Sequence, residues 1–167
     1  LDGQIELVAQ TGDPGFGGNG YLDILSAPDW NLRQRFVLSG EKFATYAQPV
    51  NVDTDPYPEV FLTPGAIFFG PYRPMLIDYR PATDSFAILA ELLAPAGAYG
   101  RSAVGDFDED GLIEFISGSD LGYALFEYDG STLSYIGPLG DSTAWEHASA
   151  AAVRPKPDGK LGALLGH

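Results

Sequence analysis

The sequence contains no cysteine, which excludes disulfides, thiolate metal sites and a thiol nucleophile. Its two histidines, His147 and His167, and the lack of a Gly-x-Ser-x-Gly elbow leave neither a zinc hydrolase nor a serine hydrolase with its parts. Positive charge is also scarce. Against 23 Asp and Glu stand 9 Lys and Arg, and the net charge of −14 repels nucleic-acid phosphates and anionic lipid headgroups. No apolar run approaches the roughly 18 residues that would suggest a membrane-spanning helix, so membrane insertion is not expected. Stretches rich in Ala, Glu and Lys, the usual material of helices, are nearly missing.

What remains is a chain of 167 residues with 21 Gly, 13 Pro, 10 Phe, 9 Tyr, 2 Trp and 45% hydrophobic residues. That length and apolar content suffice for a sizeable core. Turn formers mixed with aromatic and β-branched residues predict many short strands joined by tight turns, an all-β fold.

One phrase recurs: an acidic residue, a turn residue, two variable positions, then an acidic residue leading an apolar strand. It occurs at Asp2–Val8, Asp55–Phe61 and Asp110–Ile116, and more faintly at Asp158–Leu164. The leading Asp residues are spaced by 53, 55 and 48 positions, a period that marks a repeat architecture. Each interval holds further strand patterns. The second strands are 21–25, 75–79 and 123–128, the third 34–39, 85–89 and 132–136, and the fourth, just before the next acidic loop, 45–50, 100–104 and 149–153. Asp129-Gly130 and Ala82-Thr83-Asp84 supply hairpin turns between second and third strands.

Four short antiparallel strands in about 50 residues is the layout of a β-propeller blade. The repeats are set at about 2–54, 55–109 and 110–157, with 158–167 beginning a further blade of a single, partial propeller domain. Propellers close with about 4 to 8 blades, so three blades predict a larger ring, completed by other segments or by further copies of the chain.

The loop Asp106-Phe107-Asp108-Glu109-Asp110-Gly111-Leu112-Ile113-Glu114 places carboxylates at positions one, three, five and nine, with Gly at six. Alternate side chains of a curled loop converge on one point. Asp106, Asp108 and Asp110 therefore offer oxygens to a hard cation, the Leu112 carbonyl adds another, and Glu114 closes the set from the following strand. An EF-hand needs Glu at position twelve and flanking helices. Here that position is Ser117, and a strand follows. The loop Asn51-Val52-Asp53-Thr54-Asp55-Pro56-Tyr57-Pro58-Glu59 keeps the donor positions at Asn51, Asp53, Asp55, the Tyr57 carbonyl and Glu59, with Pro56 in place of the glycine. Asp2 and Glu6 would be the trailing half of another such loop. In the last copy Arg154 and Lys156 stand where the first two donors belong and Gly162 where the closing acid belongs, so no cation is expected there.

Val104-Gly105-Asp106-Phe107-Asp108-Glu109-Asp110-Gly111 resembles the "GDFDGDG" phrase of FG-GAP and VCBS repeats, the family of integrin α-subunit propellers and many secreted bacterial proteins. The family usually closes this loop with Asp where Glu114 stands. The resemblance implies a secreted or cell-surface propeller with Ca²⁺ in its loops, used for adhesion, for carbohydrate or protein binding, or as a scaffold. It makes Asp106, Asp108, Asp110 and Glu114 the ligands, with Asn51, Asp53, Asp55 and Glu59 as a second set.

No catalytic residue is assigned, and the chain is read as a binding or structural module rather than an enzyme. Two other readings stay open: an accessory propeller segment of a secreted lyase or hydrolase, and a subunit of a surface filament or envelope layer. Gly15–Gly20 is not followed by a helix or by Lys-Ser/Thr, so it reads as a hairpin loop rather than a phosphate cradle. Trp145-Glu146-His147 reads as packing or surface more readily than as a general base. Trp30, Tyr57, Tyr72 and Tyr99 are expected in loops, where they could stack on a glycan or anchor a protein.

Overall fold

The computed structural model describes residues 6–12, 20–38, 45–64, 73–94, 99–119, 122–139, 150–155 and 161–166. Asp2, Tyr72, Trp145-Glu146-His147, Lys156 and most of the Gly15–Gly20 run lie outside them.

The fold is all-β. Its strands are β1 Glu6–Gly12, β2 Gly20–Ser26, β3 Asn31–Leu38, β4 Thr45–Val50, β5 Glu59–Pro64, β6 Met75–Arg80, β7 Ser85–Glu91, β8 Tyr99–Gly105, β9 Ile113–Ser119, β10 Gly122–Tyr128, β11 Leu133–Leu139, β12 Ala150–Pro155 and β13 Leu161–Gly166. No helix occurs among the described residues, and none is long and apolar enough to cross a membrane. The expected strands form where composition places them. Tyr99 differs from its expected loop position: it opens β8 and pairs with Gly118.

Strands β4-β5-β6-β7 and β8-β9-β10-β11 are four-stranded antiparallel meanders, the form of propeller blades, and β1-β2-β3 is a three-stranded one. The hydrogen-bonded unit is offset by one strand from the sequence repeat. The strand preceding each acidic loop pairs with the strand following it, β4 with β5 and β8 with β9, so each acidic loop is a hairpin turn inside a sheet. β12 and β13 form the same kind of hairpin, and β12 meets β8 in a single parallel pairing, Ala150 with Arg101. Among the described strands no sheet closes on itself.

β6 reads as a near-continuous buried run, Met75 to Asp78, because it is covered on both faces, whereas β7 and β11, farther out in their sheets, have more exposed positions. Successive residues of β5 enter different cores: Phe61 joins Leu76, Phe115, Ala124 and Phe126, while Leu62 joins Leu22, Ile24, Met75 and Ile77. The first cluster fills the space between the β4–β7 and β8–β11 sheets, the second that between β1–β3 and β4–β7. The rings of Phe61 and Phe115 stack at 4.1 Å across the first interface.

Two glutamine side chains fasten the sheets together. The Gln34 amide donates to the Phe86 carbonyl at 2.7 Å and accepts from the Phe86 N–H at 2.8 Å, linking β3 to β7. Gln48 does the same with Ser102, at 3.0 Å in each direction, linking β4 to β8. Each bridge joins corresponding strands of neighbouring sheets, which fixes the sheets, and with them the acidic hairpins, in register.

Candidate metal centre

Both acidic hairpins hold their closing glutamate at the same place in the ladder. Glu59 pairs with Val50, the last residue of β4, and Glu114 with Gly105, the last residue of β8. Both side chains are buried, at 0% and 3% exposure, and each folds back over its loop. Glu59 Oε2 accepts the Val52 N–H at 2.8 Å, and Glu114 Oε2 accepts the Phe107 N–H, the corresponding amide of the second loop.

The middle of each loop is a run of Asx turns, in which a carboxylate accepts the amide two residues on. Asp53 takes the Asp55 N–H at 2.8 Å and Asp55 takes the Tyr57 N–H at 2.7 Å. Asp108 takes that of Asp110 at 3.2 Å and Asp110 that of Leu112 at 2.8 Å. Each of these bonds uses one oxygen of its carboxylate.

The loops differ where the sequence differs. Asp106 Oδ2 accepts the Gly111 N–H at 3.0 Å, and Gly111 takes φ +91°, a value that favours glycine. In the other loop Asn51 replaces Asp106 and Pro56, which has no N–H and cannot reach positive φ, replaces Gly111. The two substitutions occur together, donor and acceptor of one hydrogen bond both changed, and the remaining turns survive them.

The structure brings the sequence-derived carboxylates together. Oxygens of Asp106, Asp108, Asp110 and Glu114 converge within 4.8 Å of one another, and so do those of Asp53, Asp55 and Glu59. Tyr57 and Leu112 are placed by the Asx turns, and Asn51 is exposed at the mouth of its loop. Of the loop aromatics, Trp30 is exposed in the β2–β3 turn, whereas Tyr57 packs edge-on against Tyr79 at 5.2 Å.

Sequence reasoning missed a second acidic row. Glu127 of β10 lies directly across the ladder from Glu114. On β6, Val60 pairs with Ile77, so the next pair along is Glu59 with Asp78. Opposed residues share a sheet face, and like charges set opposite each other are destabilising. The signal was an acid inside an apolar strand, Met75-Leu76-Ile77-Asp78-Tyr79.

Among the described residues, the buried side-chain oxygens without a hydrogen-bond partner are Glu59 Oε1, Asp78 Oδ1, Asp106 Oδ1 and Glu114 Oε1. All four belong to the two hairpins or to the strand beside them. Buried Asp23 is the contrast: Arg35 meets its two oxygens at 2.7 Å each. A buried polar atom left unpaired costs about 1–3 kcal/mol, more when it is charged. The acidic hairpins therefore concentrate an electrostatic debt that a bound cation would relieve.

Burial pushes the Glu59 carboxyl above its ordinary range, and the charges of Asp53 and Asp78 add to the rise against the Val52 N–H. Burial raises Glu114 likewise, with Asp108, Asp106 and Asp110 adding to it against the Phe107 N–H. Since both folded values lie above the unfolded ones, the stability these groups contribute is fully present below the ordinary glutamate pKa of about 4.3 and is lost as pH rises through the raised values. In chelator, the melting temperature of the wild type should therefore fall more on going from about pH 4 to pH 7 than that of a Glu59→Gln/Glu114→Gln double variant. Parallel pH profiles in scanning calorimetry would contradict this.

A scan against protein-family models, a search of curated proteins and a search of solved structures each give no match. The functional reading accordingly rests on the geometry and chemistry of these hairpins.

Proposed function

We propose that the chain is a calcium-binding module of a larger extracellular β-propeller, serving adhesion, carbohydrate or protein binding, or scaffolding. The observation that carries this reading is that every buried, unpartnered carboxylate oxygen among the described residues lies in the two acidic hairpins or on the strand beside them.

The donors are oxygens, and neither hairpin contains His or Cys, which favours a hard cation over zinc. Clustered carboxylates on a curled loop suit Ca²⁺, which takes six to eight oxygens in variable geometry, better than Mg²⁺ with its strict octahedron. Asp106, Asp108, Asp110 and Glu114 would hold one ion with the Leu112 carbonyl. Asp53, Asp55 and Glu59 would hold another with Asn51 and the Tyr57 carbonyl. A bound ion ties the two strands of a hairpin together and leaves the exposed turns free to meet a partner. Extracellular modules commonly bind Ca²⁺ with Kd of about 10⁻⁴–10⁻³ M, the range suited to this compartment. The kinship with FG-GAP and VCBS repeats belongs to this proposal and is supported by the 104–111 phrase.

The recognition role is tested by probing a glycan array and a panel of extracellular matrix proteins in Ca²⁺ and in chelator. Binding that is present in Ca²⁺ and lost in chelator is the expected result. No binding in either condition would remove the recognition role and leave a scaffold.

A further inference from the structure

Each hairpin, taken with the strand beside it, has two buried, unpartnered carboxylate oxygens, but not from the same positions. In the 106–114 hairpin they belong to Glu114 and to Asp106 at loop position one; in the 51–59 hairpin they belong to Glu59 and to Asp78 of the adjoining strand. Position one of the latter loop is the exposed amide Asn51. The unpartnered oxygen that position one supplies in one hairpin is thus supplied by Asp78 of β6 beside the other.

Asp78 is built into this place. It is 5% exposed, and it stands next to Glu59 across the β5–β6 ladder, on the same face. The β6–β7 pairing shifts between Leu76 and Ile77, where the extra residue is Leu89 of β7, and Asp78 itself stays in the ladder opposite Ala87. Arg80 Nε holds one Asp78 oxygen, Oδ2, at 3.0 Å and is itself about half exposed, while Oδ1 has no partner. The corresponding residues opposite the other closing acids are Glu127 across from Glu114 and Ser26 across from Glu6, so an acid stands at this place beside both hairpins, and Asp78 differs from the partly buried Glu127 in being buried with an unpartnered oxygen.

We infer that Asp78 supplies the fourth negative charge of the 51–59 cation site, replacing from the neighbouring strand the carboxylate that Asn51 does not provide. The inference rests on the proposed binding of a divalent cation and goes beyond the loop residues that define it. Asp78 lies outside the group of three whose oxygens converge within 4.8 Å. It is therefore a positioning residue that acts behind Glu59, holding the site's charge balance. Arg80 is the counter-charge that shares Asp78 with the cation.

The test is calorimetric titration of Ca²⁺ into chelator-treated wild type, Asp78→Asn, Asp108→Ala, Asp108→Ala/Asp78→Asn and Arg80→Gln, with circular dichroism to check the fold of each. The expected pattern is two sites in the wild type and one in Asp108→Ala. That remaining site should weaken at least about tenfold when Asp78→Asn is added. In Asp78→Asn alone, the 106–114 site keeps its affinity. Arg80→Gln should tighten the 51–59 site by about two- to fivefold, and Asp78→Glu, which keeps the charge on a longer side chain, should hold the wild-type affinity within about twofold, a rescue that a purely structural role for Asp78 does not produce. Unchanged affinity of the 51–59 site in Asp78→Asn overturns the inference while leaving calcium binding in place, whereas a wild type without calcium binding overturns both. If Asp78→Asn fails to fold, Asp78→Ser decides, serine being the residue opposite Glu6 at the corresponding place, and an unaltered affinity of the 51–59 site there overturns the inference.

Discussion

Saturating Ca²⁺ raises the melting temperature of chelator-treated protein by about 5–10 °C for each hairpin filled. A ligand held only by the folded state adds about 2.7 kcal/mol at a free concentration one hundred times its Kd. For a chain of 167 residues each kcal/mol moves the midpoint by about 2–4 °C, which gives that range. The physical source is the set of unpaired oxygens: in chelator, Glu59 and Glu114 keep buried carboxylates satisfied on one side only. The shift should follow Ca²⁺ concentration, saturate, and be much smaller with Mg²⁺ at equal concentration. A scan that overlays in Ca²⁺ and in chelator would count against a structural ion.

Glu114→Gln changes sign with the metal. In chelator the variant should melt above the wild type by an amount corresponding to about 1–3 kcal/mol, because an amide replaces a buried charge that has one unpaired oxygen. Its Oε1 can still accept the Phe107 N–H, and its NH₂ donates toward the surrounding aspartates, whose charges add to the raised pKa of Glu114. In Ca²⁺ the order reverses, since the 106–114 hairpin has lost its closing anionic donor while the wild type gains the full effect of the ion. A variant destabilised equally in both conditions would make Glu114 an ordinary buried residue of the ladder, unconnected with any cation.

The strands were legible because apolar and aromatic runs between Gly, Pro and Asp turns leave few alternatives, and β4 spans the residues expected of it. The loops were legible for a similar reason: alternate acids followed by a strand define a curled turn, and the structure brings those acids together. The grouping of strands into sheets was less accessible. Whether the strand before an acidic loop pairs with the strand after it, or with the one preceding it in the chain, depends on hydrogen bonds between segments, and the repeat alone has no phase.

Asp78 was hidden by its company. In the sequence it is one acid in an apolar strand, and only the ladder register and its 5% exposure place it behind Glu59. The effect of Pro56 could be seen in part, since proline rules out the positive φ that Gly111 adopts. That the Asp108–Asp110–Leu112 Asx turns would recur at Asp53–Asp55–Tyr57 without it required the coordinates.

The most direct measurement is calorimetric titration of Ca²⁺ into chelator-treated wild type and Asp108→Ala. Two saturable sites in the wild type and one in the variant are the predicted result. No heat of binding in the wild type, or the same binding in both proteins, would contradict the assignment of the acidic hairpins as calcium sites.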